Sequence, residues 1–126
     1  MRFCYGERWL KLGPSGSGEW LLLAVSSGQG EQSWGVEMRV RPVELEQFRD
    51  DLRVINQSQV HRARLDDTRT DHFLELAGNN LGRIRVFASF DEGKRPLGEP
   101  EPGFEADQTC LGPFLKQLNL YLEQRN

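Results

Sequence analysis

Carboxylates near the end of this chain of 126 residues are the first candidates for chemistry. Glu105 and Asp107 stand two residues apart, just before Gln108 and Thr109. Two carboxylates can act as acid and base where their environments differ. The same residues also suit the solvent face of a short strand that ends in a helix cap, because Asp and Thr side chains accept bonds from free helical N–H groups. We favour the strand end and cap, and we predict no catalytic residue here.

The two histidines and the glycine-rich segments give no stronger sign of catalysis. His61 lies within a predicted strand, where packing or pairing is the simpler interpretation, and His72 follows Asp71 at the mouth of a strand. Neither histidine has a second His or Cys at metal-ligand spacing, so we predict no metal ion and no cofactor. Segments 13–20 and 28–33 match neither a nucleophile elbow nor a dinucleotide-binding loop. The protein is therefore predicted not to be an enzyme.

Arginines form the most distinctive pattern, because they lie on predicted strands opposite the apolar side chains. These residues are Arg39, Arg41, Arg62, Arg64, Arg83 and Arg85. If the strands pair in one sheet, the arginines form one charged surface with Glu37 and Glu75 between them. Guanidinium groups bind carboxylates and phosphates well, so such a face suits a protein partner or, as an alternative, a small ligand, an anion or the substrate of a small enzyme. The alternative predicts a concave pocket with several arginines. Cross-strand pairing with acidic residues on a wetted sheet is the interpretation we favour.

Composition excludes several classes of protein. A net charge of −3 argues against general nucleic-acid binding, which needs a basic surface. No segment approaches the length of a membrane span, and residues 1–14 lack the apolar run of a signal peptide, so we expect a cytoplasmic protein. Cys4 and Cys110 are expected to be reduced, part-buried thiols.

The elements that would position these residues predict a single α+β domain over residues 1–126. We expect a mainly antiparallel β-sheet of about six to seven strands, a short central helix and a C-terminal amphipathic helix packed on the sheet. Alternation over 34–41 is typical of a strand with one wetted face. Pro42 suits the first helical position, and apolar residues at helical spacing continue to about Val54. Asn79-Asn80 predicts the turn of a β-hairpin, and 91–103 reads as a loop.

The C-terminal helix carries an apolar stripe that belongs in the core. Its members are Leu111, Phe114, Leu115, Leu118, Tyr121 and Leu122. The start of this helix is left open between two arrangements. Either Asp107 or Thr109 caps the free N–H groups, or Gly112 is the cap and Pro113 the first helical residue.

The order of these elements, together with residues in both helices and the hairpin, carries a family resemblance. The residues are Leu45, Phe48 and Leu52, then Gly82, Ile84 and Val86, and finally Phe104, Asp107, Gln108, Thr109, Leu111 and Leu118. On them the chain resembles small bacterial proteins of the WapI-type immunity family and related families of unknown function. The similarity spans most of the chain, and its distinctive part is Asp-Gln-Thr. It implies a cytoplasmic, non-enzymatic protein that binds and neutralises a toxin domain delivered by neighbouring bacteria.

The resemblance does not identify the toxin-contacting residues, so we propose them from charge. The acidic segment from Asp91 to Asp107 suits a basic toxin surface, because fields of opposite sign speed association. Possible partner-binding residues are Arg39, Arg62, Arg64, Arg83, Arg85, Asp91, Glu92, Glu99 and Glu101. We expect a protein partner, with no nucleic acid and no membrane. A homodimer through an exposed sheet edge stays open.

Overall fold

A computed structural model describes residues 1–5, 8–14, 20–26, 33–57, 59–68, 70, 72–89 and 103–125. In chain order the elements are β1 (Arg2–Tyr5), β2 (Arg8–Pro14), β3 (Trp20–Ser26), β4 (Ser33–Arg39), α1 (Pro42–Ile55), β5 (His61–Asp66), β6 (Phe73–Gly78), β7 (Arg83–Ser89), β8 (Gly103–Asp107), a 3₁₀ turn (Gln108–Cys110) and α2 (Leu111–Arg125). The predicted α+β class, with antiparallel strands and two helices in these positions, is confirmed.

The strands form two four-stranded sheets rather than one. β1 to β4 make the first sheet, and β5 to β8 make the second, each with its strands in sequence order. Every neighbouring pair is antiparallel, as consecutive strands joined by short connections usually are. The described residues contain eight strands against the six to seven predicted, because 2–14 forms two strands.

Helix α1 joins the two sheets and packs against β5 and α2. It begins at Pro42, which suits that position because proline has no N–H to leave unbonded. Leu45, Phe48, Leu52 and Ile55 are all buried, which confirms the helical spacing predicted for them. The helix ends one residue later than expected, with Asn56 as its C-cap.

Buried side chains from both sheets and both helices form one hydrophobic cluster. Phe3 of β1 lies 6.0 Å from Phe104 of β8 and 5.8 Å from Phe114 of α2, measured between ring centroids. These three rings therefore join the first sheet, the second sheet and the C-terminal helix. The predicted stripe of α2 is buried throughout, except for Tyr121, which is partly buried against the cluster. Full burial of each such side chain contributes roughly 1.5–3 kcal/mol.

The second sheet approaches α1 closely at Gly78. A Cβ atom placed on Gly78 would lie 2.6 Å from Cγ2 of Ile55, which is closer than carbon atoms pack. Glycine at the end of β6 therefore lets the helix settle onto the sheet.

Two further expectations concern the thiols and the membrane. Cys4 and Cys110 are both free, but Cys4 is exposed rather than part-buried, since β1 turns it away from the core. Within the described part of the chain, neither helix has the length and apolar composition to cross a bilayer.

Candidate protein-interaction site

The arginines that the sequence analysis grouped on one surface are divided between two sheets and a helix cap. Arg39 ends β4 in the first sheet, and Arg41 lies outside the strands as the N-cap of α1. The one-sheet hypothesis for these two residues is therefore wrong, because α1 separates β4 from the second sheet. Arg62, Arg64, Arg83 and Arg85 remain together on β5 and β7.

We call the surface that carries these four arginines the outer face of the second sheet. It is the face turned away from the hydrophobic cluster, and the register places on it Arg62, Arg64, Asp66, Phe73, Glu75, Ala77, Arg83, Arg85, Phe87, Glu105 and Asp107. The pairing register arranges them in rows across the strands. Arg62, Ala77, Arg85 and Glu105 form one row, and Arg64, Glu75 and Phe87 form the next.

Arg64 occupies the most crowded place on this face. Its Nε donates to Oδ1 of Asp66 at 3.0 Å, and its Nη1 lies 3.9 Å from Oε1 of Glu75. Its guanidinium also stacks 3.9 Å from the centre of the Phe73 ring. The Glu75 side chain is only 9% exposed, so Arg64 compensates a carboxylate that is nearly out of water. The cross-strand pairing that we favoured therefore holds for this arginine.

The other arginines of the face are differently placed. Arg85 lies 5.2 Å from the centre of the Phe87 ring, and Phe87 meets Phe73 edge-to-face at 5.8 Å. Among the residues that the structure describes, Arg62, Arg83 and Arg85 form no ion pair. A surface that combines partly buried aromatic rings with accessible guanidinium groups has the composition of a protein–protein interface.

The Asp-Gln-Thr segment adjoins this face and fastens α2 to the rest of the fold. Oδ1 of Asp107 accepts the N–H of Thr109 at 3.0 Å, so Asp107 is the cap and α2 begins at Leu111. The backbone N–H of Gln108 donates to the carbonyl of Gly82 at 2.8 Å. Its side chain donates through Nε2 to the carbonyl of Asn56 at 2.6 Å. The segment is thus a junction between α1, the β6–β7 turn and α2, and Gly112 is not the cap.

A groove of about 360 Å³ opens at this junction. Its walls come from the end of α1, the β6–β7 turn and the start of α2, and they consist of Asn56, Leu81, Gly82, Asp107, Gln108, Thr109 and Gly112. None of the four arginines of the outer face lines it. The ligand-binding alternative predicts a pocket lined by these arginines, and this groove is not such a pocket.

The turn beside the groove is held by Asn79, whose Oδ1 accepts the N–H groups of Leu81 and Arg83 at 2.9 and 3.1 Å. Gly82, just before β7, has a φ of 80°, in the left-handed region that favours glycine. Leu81 is left 81% exposed. The sequence analysis did not predict Leu81 or Asn56 as site residues. Leu81 could have been found, because an apolar residue within the polar turn 78–82 indicates an exposed apolar side chain.

Each histidine lies near a carboxylate. Nε2 of His61 lies 2.9 Å from Oδ1 of Asp51, so the expected pairing is present. His72 is buried, and its Nδ1 lies 3.9 Å from Oδ2 of Asp67, which is buried too. Asp67 also accepts the N–H of Arg39 at 3.3 Å and the hydroxyl of Thr70 at 3.0 Å. Asp67 therefore links the end of the first sheet to the β5–β6 connection.

The predicted contact residues of the acidic segment, which are Asp91, Glu92, Glu99 and Glu101, lie outside the described residues. No group of three or more His, Cys, Asp or Glu side chains suited to a metal ion occurs in the described chain.

The model of the immunity protein WapI-like family matches residues 6–125. No curated protein and no solved structure matches the chain.

Proposed function

This chain belongs to the immunity protein WapI-like family, and from that premise we propose that it binds and neutralises a bacterial toxin domain. The observation that carries the proposal is the family match, which extends over nearly the whole chain, from residue 6 to residue 125. In this proposal the protein acts in the bacterial cytoplasm by stoichiometric binding, and it catalyses no reaction.

The outer face of the second sheet is the surface that best suits such a partner. Phe73 and Phe87 offer partly buried aromatic area towards one end of it. Arg62 and Arg85 share a neighbouring row, and neither is neutralised by an ion pair within the described chain. Because arginine forks bind carboxylates with two parallel bonds, we expect acidic side chains of the toxin on this face.

The proposal also includes predicted contact residues that are not part of this face. One of them is Arg39 of the first sheet, which is exposed. The acidic residues Asp91, Glu92, Glu99 and Glu101 would meet a basic region of the same toxin, since complementary charge guides association.

Growth and binding assays with the toxin domain encoded beside this gene test the proposal. Co-expression of the chain is expected to restore growth of cells that produce the toxin, and the purified proteins should associate with a dissociation constant below micromolar. Absence of rescue, together with binding weaker than micromolar, would contradict the proposal.

A further inference from the structure

We infer that the groove at the Asp-Gln-Thr junction is a socket for an arginine side chain presented by a protein partner. Three walls from separate elements, one carboxylate and one exposed apolar side chain meet there. That the partner is a toxin domain rests on the proposed function, whereas the preference for a guanidinium group rests on the groove itself.

The size of the groove limits its occupant. Its volume of about 360 Å³ is near the lower end of the roughly 300–1,000 Å³ typical of small-molecule sites. A cofactor of nucleotide size needs more room than this, whereas one long side chain fits. The groove is also open to solvent beside Leu81, so a residue on the surface of another protein can enter it.

The charge of the groove favours a cation. Asp107 contributes a carboxylate whose Oδ1 caps the 3₁₀ turn, and within the described residues its Oδ2 has no hydrogen-bond partner. Asn56 stands at the C-terminal end of α1, where the helix dipole places partial negative charge, and Oδ1 of Asp107 offsets the partial positive charge at the start of α2. Arg83 lies across the ladder from Asp107 but forms no ion pair with it in the described chain. The net charge of −3 acts in the same direction over longer range.

The shape and polarity of the walls favour arginine over lysine. Asp107, Thr109 and Asn56 line the groove, and their side chains carry oxygen atoms that can accept from one planar donor fork. Leu81 stands at the rim with 81% of its surface exposed, where it can cover the aliphatic stem of a long cationic side chain. Lysine would offer the same stem but only a single point of charge.

A substitution at Gly112 can fill the groove without disturbing the fold. A Cβ atom placed on Gly112 meets nothing within 4 Å, and its backbone is helical. In Gly112→Phe the ring would therefore occupy the groove while the surrounding structure stays as it is. Lys116→Phe, one turn further along the exposed side of α2, is the matched control.

A small-molecule titration tests the socket independently of any toxin. N-acetyl-arginine amide is added to the full chain, and backbone amide shifts are followed by NMR. N-acetyl-citrulline amide, which has nearly the same shape without the charge, serves as the comparison. We expect millimolar binding of the arginine compound with the largest shifts at Leu81, Gly82, Thr109 and Gly112. Citrulline amide should bind at least fivefold more weakly, and Gly112→Phe should abolish the shifts while Lys116→Phe retains them.

Shifts at other residues, equal shifts with citrulline amide, or full binding by Gly112→Phe would each overturn the inference. Asp107→Asn adds a second variant that keeps the fold, because asparagine caps as well as aspartate does. It should weaken binding of the arginine compound at least threefold, and unchanged binding would count against the socket. Asp50→Asn, on the exposed surface of α1, is its control.

The last experiment measures binding of variants to the toxin domain encoded beside the gene. Leu81→Asp is expected to weaken toxin binding at least tenfold, while Leu120→Asp, an exposed apolar residue on α2, leaves it unchanged. If the unmodified chain does not bind the toxin, the proposed function fails, and the arginine titration still decides the socket. If the unmodified chain binds and Leu81→Asp binds equally well, the socket fails as a toxin contact and the proposed function stands.

Discussion

The side-chain amide of Gln108 donates to the backbone carbonyl of Asn56 at 2.6 Å, across 52 positions of sequence. This bond joins the turn that opens α2 to the residue that ends α1. A carbonyl at the C-terminal end of a helix has no partner within the helix, so the bond satisfies a group that would otherwise need water.

Replacing Gln108 with alanine should therefore lower the free energy of unfolding by about 1 kcal/mol, the usual net value of such a bond. Urea denaturation followed by circular dichroism measures the change. Gln47→Ala is the matched control, because Gln47 bonds only to Asp51 on the exposed surface of α1. It should change the free energy of unfolding by less than about 0.5 kcal/mol. Equal effects for the two variants would contradict the role given to Gln108.

The close approach of Gly78 to Ile55 predicts a steric effect. Gly78→Ala should lower the free energy of unfolding by about 1–3 kcal/mol, because the added methyl group would lie 2.6 Å from Cγ2 of Ile55. The double variant with Ile55→Ala should lose less than the sum of the two single losses, since the clashing atom is then absent. Thermal or urea unfolding of all four proteins gives the coupling energy.

Gly13→Ala is the control for this steric prediction, because a Cβ atom there meets nothing within 4 Å. It should unfold at nearly the same urea concentration as the unmodified chain. Strict additivity in the double variant would show that the contact with Ile55 is not the cause.

The buried carboxylate of Asp67 should be important for stability. Asp67→Ala leaves the N–H of Arg39 and the hydroxyl of Thr70 without the acceptor that they use in the structure. We expect the free energy of unfolding to fall by about 2–3 kcal/mol, because two hydrogen bonds of about 1 kcal/mol each are lost together with the packing of a buried side chain. Asp66→Ala, whose side chain is 59% exposed, should cost less than about 1 kcal/mol. Denaturant unfolding of both variants measures the two losses in free energy of unfolding. Similar losses would rule out a special role for Asp67.

Charge reversal on the outer face of the second sheet should slow association with the toxin domain. Arg62→Glu combined with Arg85→Glu removes accessible guanidinium groups and repels acidic side chains of the partner. We expect the association rate constant to fall at least tenfold at low salt, and its dependence on ionic strength to weaken. Surface plasmon resonance at several salt concentrations provides the measurement. Arg8→Glu on the first sheet is the control and should keep the original rate, so equal slowing there would argue against this face.

We propose that residues 1–126 unfold as one domain, because Phe3, Phe104 and Phe114 pack the two sheets and α2 against each other. Near-ultraviolet and far-ultraviolet circular dichroism should then report the same midpoint in urea, as expected for a two-state transition. Separate midpoints for the two signals would instead show a populated intermediate and would contradict unfolding as one unit.

The local elements could be predicted from the sequence. Period-two alternation predicted strands within 60–67 and 82–90, and helical spacing predicted α1 and α2, because these patterns follow from backbone geometry alone. The apolar stripe of α2 and the capping role of the Asp-Gln-Thr segment could be predicted for the same local reason. The sequence also carried the family resemblance, which the match over residues 6–125 confirms.

Which strands share a sheet and which side chains meet depends on packing between elements that are far apart in the sequence. Arg39 and Arg62 have the same alternating context in sequence, yet they belong to different sheets because α1 separates their strands. The groove likewise needs Asn56, Leu81 and Asp107, which come from three elements far apart along the chain. Periodicity reports which face of an element is buried, but it contains no information on the partner that buries it. Long-range packing supplies that information, and the candidate site lies where such packing brings the elements together.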